Sequence, residues 1–156
     1  GLANTGWAVL DHRSQMPDDS EYKLIGCGCL KTKITSNSAK RLGIIYNELE
    51  EIIKKYQVTA MVFESLFFAK NAKSALKVAE AIGAIKICGE RNNIEVAEFT
   101  PLQVKMALVG YGRAEKDQVE EMVRRLLNLD ENITPSHASD AVAVALTYLC
   151  TNKSLI

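Results

Sequence analysis

Ala60-Met61-Val62-Phe63-Glu64 is a short apolar run that stops abruptly on an acid. It is too short for a stable helix and reads as a buried strand. An acid directly after such a strand stands at its carboxyl end, where open α/β sheets place their ligand sites. The plainer alternative for Glu64 is a strand-end glutamate facing solvent.

The pattern on either side of this run supports a sheet flanked by helices. Upstream, Leu42, Ile45, Leu49, Ile52, Ile53 and Tyr56 recur at spacings of three and four, which predicts a helix from Ser38 to Tyr56. Before it, Gly6 to Leu10 and Lys23 to Ile34 read as strands joined by a polar turn through His12, Arg13, Pro17, Asp18 and Asp19. In the second of these, Gly26 and Gly28 fall on one face and Cys27 and Cys29 on the other. Downstream, a loop carrying Phe67 and Phe68 leads to a helix from Asn71 to Arg91, and Ile94 to Phe99 reads as a further strand. Thr100-Pro101 opens a helix with a cap residue followed by proline at the first helical position, and it ends near Gly110-Tyr111-Gly112. Val119, Met122, Val123, Leu126 and Leu127 mark another helix, and Thr134-Pro135 repeats the cap signal for the last. The order is a β-meander, then helix, strand, helix and strand, then helices. A single α/β domain with a mixed sheet flanked by helices is the architecture this order predicts.

Composition narrows the class. A chain of 156 residues fits one domain. No apolar run reaches the ~18 residues of a membrane span, and the start is neither basic nor followed by an apolar stretch, so we expect a cytoplasmic protein with no membrane partner. Cys27, Cys29, Cys88 and Cys150 lack metal-ligand spacing and read as reduced core residues. Lys plus Arg and Asp plus Glu each number 19, so the net charge is zero, which counts against a simple nucleic-acid binder. Any phosphate contact must come from local clusters of Lys and Arg.

Two features beyond Glu64 can carry chemistry. His137 and Asp140, three apart, share one face of the last helix near its start. There the helix dipole favours an ionised carboxylate and disfavours protonated His. Neutral imidazole plus carboxylate is a metal-binding pair, and carboxylate oxygen suits Mg²⁺ or Mn²⁺. The alternative is a polar helix start in which Asp140 only complements the dipole. The second feature is basic: Lys70, Lys73 and Lys77 around the start of one helix, and Lys105, Arg113 and Lys116 around two later helix ends. Lysines at helix ends are more often simply solvated, and Phe67 and Phe68 more often core.

Three stretches, read together, change that balance. GLANTGWAVL at Gly1 to Leu10, FESLFFAKNAKSALKVAEAIGA at Phe63 to Ala84, and FTPLQVKMALVGYGRAEKDQVEEMV with HASDAVAVALTY resemble the RuvC family of crossover-junction endodeoxyribonucleases. The likeness runs through the whole chain, in order. E-x-x-F-x-A-K-N-x-x-S-A-L and Q-V-K-x-x-x-V-G-x-G-x-A-x-K are its most specific parts. The resemblance implies a ribonuclease H-like fold and a metal-dependent enzyme that nicks four-way (Holliday) DNA junctions symmetrically during recombination and repair. It puts Glu64 on the family's catalytic glutamate and Asp140 on its final catalytic aspartate. His137 takes a position where members carry Asp or His.

The resemblance also implies that Lys105 and Lys116 meet phosphates and that Phe67 stacks on an unpaired base. Lys70, Lys73 and Arg113 complete the expected DNA-binding set. Gly1 resembles the glycine of the family's D-P-G motif, so the first catalytic aspartate, with a strand central to the sheet, is expected just before residue 1. With that aspartate, Glu64, His137 and Asp140 would hold two Mg²⁺ ions about 4 Å apart, or Mn²⁺. A homodimer matches the near two-fold symmetry of the junction. The resemblance adds RuvA and RuvB, the branch-migration proteins, as partners. The dimer surface is expected on the Asn71 to Arg91 helix, through Leu76, Val78 and Ile82. The competing readings are another ribonuclease H-like nuclease, a non-catalytic junction-binding protein, and an actin-like ATPase. The last would need glycine-rich phosphate loops that the chain does not have.

Overall fold

The computed structural model describes residues 2–12, 21–34, 36–65 and 72–152, and of residues 72–74 the backbone alone. The elements follow the predicted order: β1 (Asn4–His12), β2 (Tyr22–Lys31), α1 (Ser38–Tyr56), β3 (Ala60–Glu64), α2 (Ala72–Arg91), β4 (Glu95–Phe99), α3 (Pro101–Val109), α4 (Lys116–Leu126) and α5 (Ser136–Asn152).

β1 and β2 form an antiparallel pair from Asn4 opposite Lys31 to His12 opposite Tyr22, with an irregularity between Val9 and Leu10. β3 and β4 run parallel, from Ala60 opposite Glu95 to Glu64 opposite Phe99. The strand directions are therefore mixed, as expected, but the described strands hydrogen-bond two and two rather than in one continuous sheet. Between the pairs lies a cavity of about 690 Å³. Asn4 to Asp11 of β1 and Ala60 to Glu64 of β3 line it without a gap. Successive strand residues point to opposite faces, so a cavity touching all of them lies along the strand edges rather than over one face.

Helices cover both faces. On one side Ile45, Leu49 and Ile53 of α1 pack with Leu2 and with Cys88 of α2. On the other, Val142, Ala143, Val144 and Leu146 of α5 gather Val104 and Leu108 of α3 and Val123 of α4. The alternation in β2 follows this layering. A Cβ on Gly26 or Gly28 would stand 3.1 Å from Tyr56 or 2.9 Å from Trp7, respectively, whereas Cys27 packs toward the α5 cluster. All four cysteines are free thiols, but of the expected core set only Cys88 is buried, while Cys27, Cys29 and Cys150 are half-buried. No helix among the described residues is long and apolar enough to cross a membrane.

Local signals account for most helix ends. Asn37 caps α1 by accepting from the Lys40 amide at 2.8 Å. Thr100 and Gln103 form a reciprocal capping box at the start of α3, and Gly110 closes that helix at a φ of 76°. Two expectations need correction. α5 starts at Ser136, with the Pro135 carbonyl accepting from the Ser139 amide at 3.3 Å, so Thr134 is not the cap. And Val78 and Ile82 of α2 turn into the cavity, while Leu76 and Ile87 stay exposed at 67% and 57%. Those outward residues are eleven apart, close to three full turns, and so share a face.

Candidate active site

Three elements meet at the carboxyl end of β3. The strand delivers Glu64, α5 delivers His137 and Asp140, and all three line the same cavity. α5 packs on β1, β2 and β3, which sets its first residues over the strand ends. Gly6 makes the close approach possible: a Cβ there would fall 1.8 Å from the His137 carbonyl oxygen.

The third element is α4, whose first residue is Lys116. Its Nζ lies 3.0 Å from Asp140 Oδ1, donates to the Ser136 hydroxyl, and is 4.0 Å from Glu120 Oε1. Lys116 had been expected among the phosphate-binding residues. Its pairing with a predicted catalytic aspartate was not visible in the sequence, since 24 residues separate the two. Glu120, i+4 from Lys116, was also missed, although that spacing is a readable ion-pair signal.

Electrostatics tie the three groups together. Partial desolvation at the strand end raises the exposed Glu64 carboxyl above its ordinary value, the negative charge of Asp140 adds to the rise, and the Lys116 ammonium opposes it. The dipole argument for Asp140 needs correction: with α5 starting at Ser136, no acid falls in its first turn, and Lys116 supplies the counter-charge.

Among the described residues, no group of three or more His, Cys, Asp and Glu side chains lies close enough to hold a metal ion. Glu64, His137 and Asp140 are neighbours without forming a closed ligand set. Their chemistry nevertheless fits a hard divalent cation: oxygen donors carrying excess negative charge, short of at least one further ligand.

The remaining predicted residues are dispersed. Lys105 is half-buried on α3, and Arg113 is exposed in the turn before α4. α3 and α4 both pack on α5, so these cations belong to the same side of the molecule as Asp140. Lys73 lies in the first turn of α2, with only its backbone described. Phe67 and Lys70 fall outside the described residues.

An α/β core with helices on both faces, and carboxylates brought by a strand end and a helix start beside a lysine, defines a ribonuclease H-like nuclease. Comparison with known proteins narrows this to one family. The model of the family described as crossover junction endodeoxyribonuclease RuvC matches residues 1–148. Under that same name, a protein of Fusobacterium nucleatum is 38% identical over 149 residues, covering 96% of this chain and 76% of that protein. One of Desulforamulus reducens is 43% identical over 148 residues, covering 95% of this chain and 88% of that protein. The Thermus thermophilus RuvC structure superposes with a TM-score of 0.90 at 30% identity, covering 99% of this chain and 92% of that one. A second structure, of T. thermophilus RuvC in complex with Holliday junction substrate, matches with a TM-score of 0.91 at 30% identity, covering 99% and 91%. The chain belongs to the RuvC family of crossover junction endodeoxyribonucleases.

Proposed function

We propose that this chain resolves four-way DNA junctions by paired, symmetric phosphodiester hydrolysis, with Glu64 and Asp140 as catalytic carboxylates. The observation that carries the reading is that Glu64 and Asp140 line one cavity at the carboxyl end of β3, with the Lys116 ammonium 3.0 Å from Asp140. Glu64, Asp140 and His137 would hold Mg²⁺, as two ions, or Mn²⁺. The metal supplies Lewis-acid activation of water and charge stabilisation at the phosphate.

Lys105, Arg113 and Lys116, with Lys70 and Lys73, neutralise phosphates without reading sequence. Phe67 stacks on a base opened at the junction centre. Two copies would pair through the exposed face of α2, where Leu76 and Ile87 stand outward. RuvA and RuvB are the proposed partners, in the bacterial cytoplasm.

The test is incubation of the full-length protein with a labelled four-way junction and a linear duplex of matched sequence, in Mg²⁺ or EDTA. Paired nicks in the junction alone, and only with metal, are expected. Equal cutting of both substrates would indicate a general nuclease, and binding without cutting a junction-binding protein.

A further inference from the structure

We infer that Lys116 couples divalent-cation binding to DNA binding by exchanging partners, passing from Asp140 to a DNA phosphate as Asp140 gives its charge to the cation. The inference rests on the metal-dependent reading above and assigns a second role to one residue of that site. Three observations carry it.

Lys116 Nζ is in direct contact with Asp140 Oδ1 at 3.0 Å, so the ammonium holds an oxygen that a cation would need. Its other neighbours are the neutral Ser136 hydroxyl, to which it also donates, and Glu120 at 4.0 Å. Finally, the pair is accessible: the two side chains are 55% and 51% exposed. An exposed pair of this kind changes an equilibrium by less than about fivefold, so it can be broken and remade readily.

A divalent cation and an ammonium repel one another, so each weakens the other's hold on a shared carboxylate. A cation on Asp140 therefore releases Lys116, whose three N–H donors then need an acceptor, and a phosphate oxygen of the substrate is available. Conversely, a phosphate that draws Lys116 away uncovers Asp140. Linkage makes the coupling reciprocal: each ligand removes part of the cost of binding the other. The long, unbranched stem at the start of α4 gives the ammonium the reach to make the exchange.

Two measurements on the full chain test this, both without turnover as the readout. The first is Mn²⁺ binding in the absence of DNA, followed by electron paramagnetic resonance. Lys116→Met should tighten Mn²⁺ by about two- to fivefold over wild type. The second is the dissociation constant for a fluorescent four-way junction in EDTA and in Ca²⁺ at equal ionic strength, scored on uncleaved DNA.

Wild type should bind the junction about two- to fivefold more tightly with Ca²⁺, and Lys116→Met should lose most of that gain. Simple charge neutralisation predicts otherwise, because the variant's unscreened carboxylates would give an equal or larger gain. Lys116→Arg, which keeps the cation, should retain the coupling. Circular dichroism checks the fold, which substitution of an exposed side chain leaves intact. A Ca²⁺ gain in Lys116→Met equal to or above wild type, or unchanged Mn²⁺ affinity, would overturn the exchange. If wild type binds Mn²⁺ and cuts junctions in that case, the proposed function stands without it. No Mn²⁺ binding by wild type would overturn both.

Discussion

A carbon added to Gly6 would lie 1.8 Å from the main-chain carbonyl oxygen of His137 and 2.5 Å from its carbonyl carbon. The strand backbone and the start of α5 are therefore in van der Waals contact, and the obstruction is backbone rather than the flexible tip of a side chain. Glycine at position 6 is what lets α5 bring His137 and Asp140 this close to Glu64. Gly6→Ala should force the helix start outward. We expect a stability loss of about 1–3 kcal/mol and a fall in junction cleavage on the order of 100-fold. Thermal melting and single-turnover cleavage measure the two. Wild-type cleavage by the variant would show that this contact does not set the site.

Glu64→Gln should retain junction binding and lose cleavage, with band-shift and nicking assays as the measurements. It should also raise the melting temperature of the metal-free protein near neutral pH. The sign follows from the direction of the shift. Folding raises the Glu64 carboxyl above its ordinary value, so the ionised form is the less stable one in the folded chain. This penalty is absent below the unfolded value and grows as pH rises through the raised folded value. Glutamine removes it. The gain should be about 1–2 °C near pH 7, kept small by solvent screening, and should vanish near pH 4. A melting temperature below wild type at pH 7 would contradict the charge argument.

Lys105→Ala and Lys116→Ala should each weaken junction binding and lower the slope of log affinity against log salt by about one. Fluorescence anisotropy over a salt series reads this directly. If both slopes match wild type, the two lysines make no phosphate contact.

Thr100→Ala removes the hydroxyl that accepts from the Gln103 amide at 3.2 Å, and with it half of the capping box. The expected cost is about 1 kcal/mol, or roughly 2–4 °C in melting temperature. Cleavage per folded molecule should stay unchanged, since Thr100 lies outside the acidic cluster. A larger loss of activity than of stability would mean that α3 positions a DNA contact through its cap.

Leu76→Glu places a charge on the outward face of α2, where Leu76 and Ile87 are exposed. If this face joins two copies, light scattering at micromolar concentration should find a dimer for wild type and a monomer for the variant. Circular dichroism should be unchanged, because position 76 is 67% exposed. A dimeric variant would move the interface elsewhere.

Much of this fold was legible in the sequence, because its elements rest on local physics. The stripe from Leu42 to Tyr56 predicted α1, since one apolar face every 3.6 residues has few other uses. Thr100-Pro101 predicted the start of α3 through groups only three residues apart. The apolar run closed by Glu64 predicted β3 and its acid. Where a local signal competed with another contact it misled: Thr134-Pro135 resembles a cap, but α5 begins at Ser136.

By itself, then, the sequence determined the order of elements, the Thr100 cap of α3, the candidate acids Glu64 and Asp140 and, through its motifs, the family. Tertiary structure alone decided that Lys116 neutralises Asp140, that Gly6 admits the His137 backbone, that Val78 and Ile82 face inward, and that a cavity runs along the edges of β1 and β3. The physical reason is one of range. Caps and periodicities are set by neighbours within one or two turns. Ion pairs and backbone contacts between α4, α5 and β1 exist only after the apolar faces of those elements have packed, and no spacing along the chain encodes that distance.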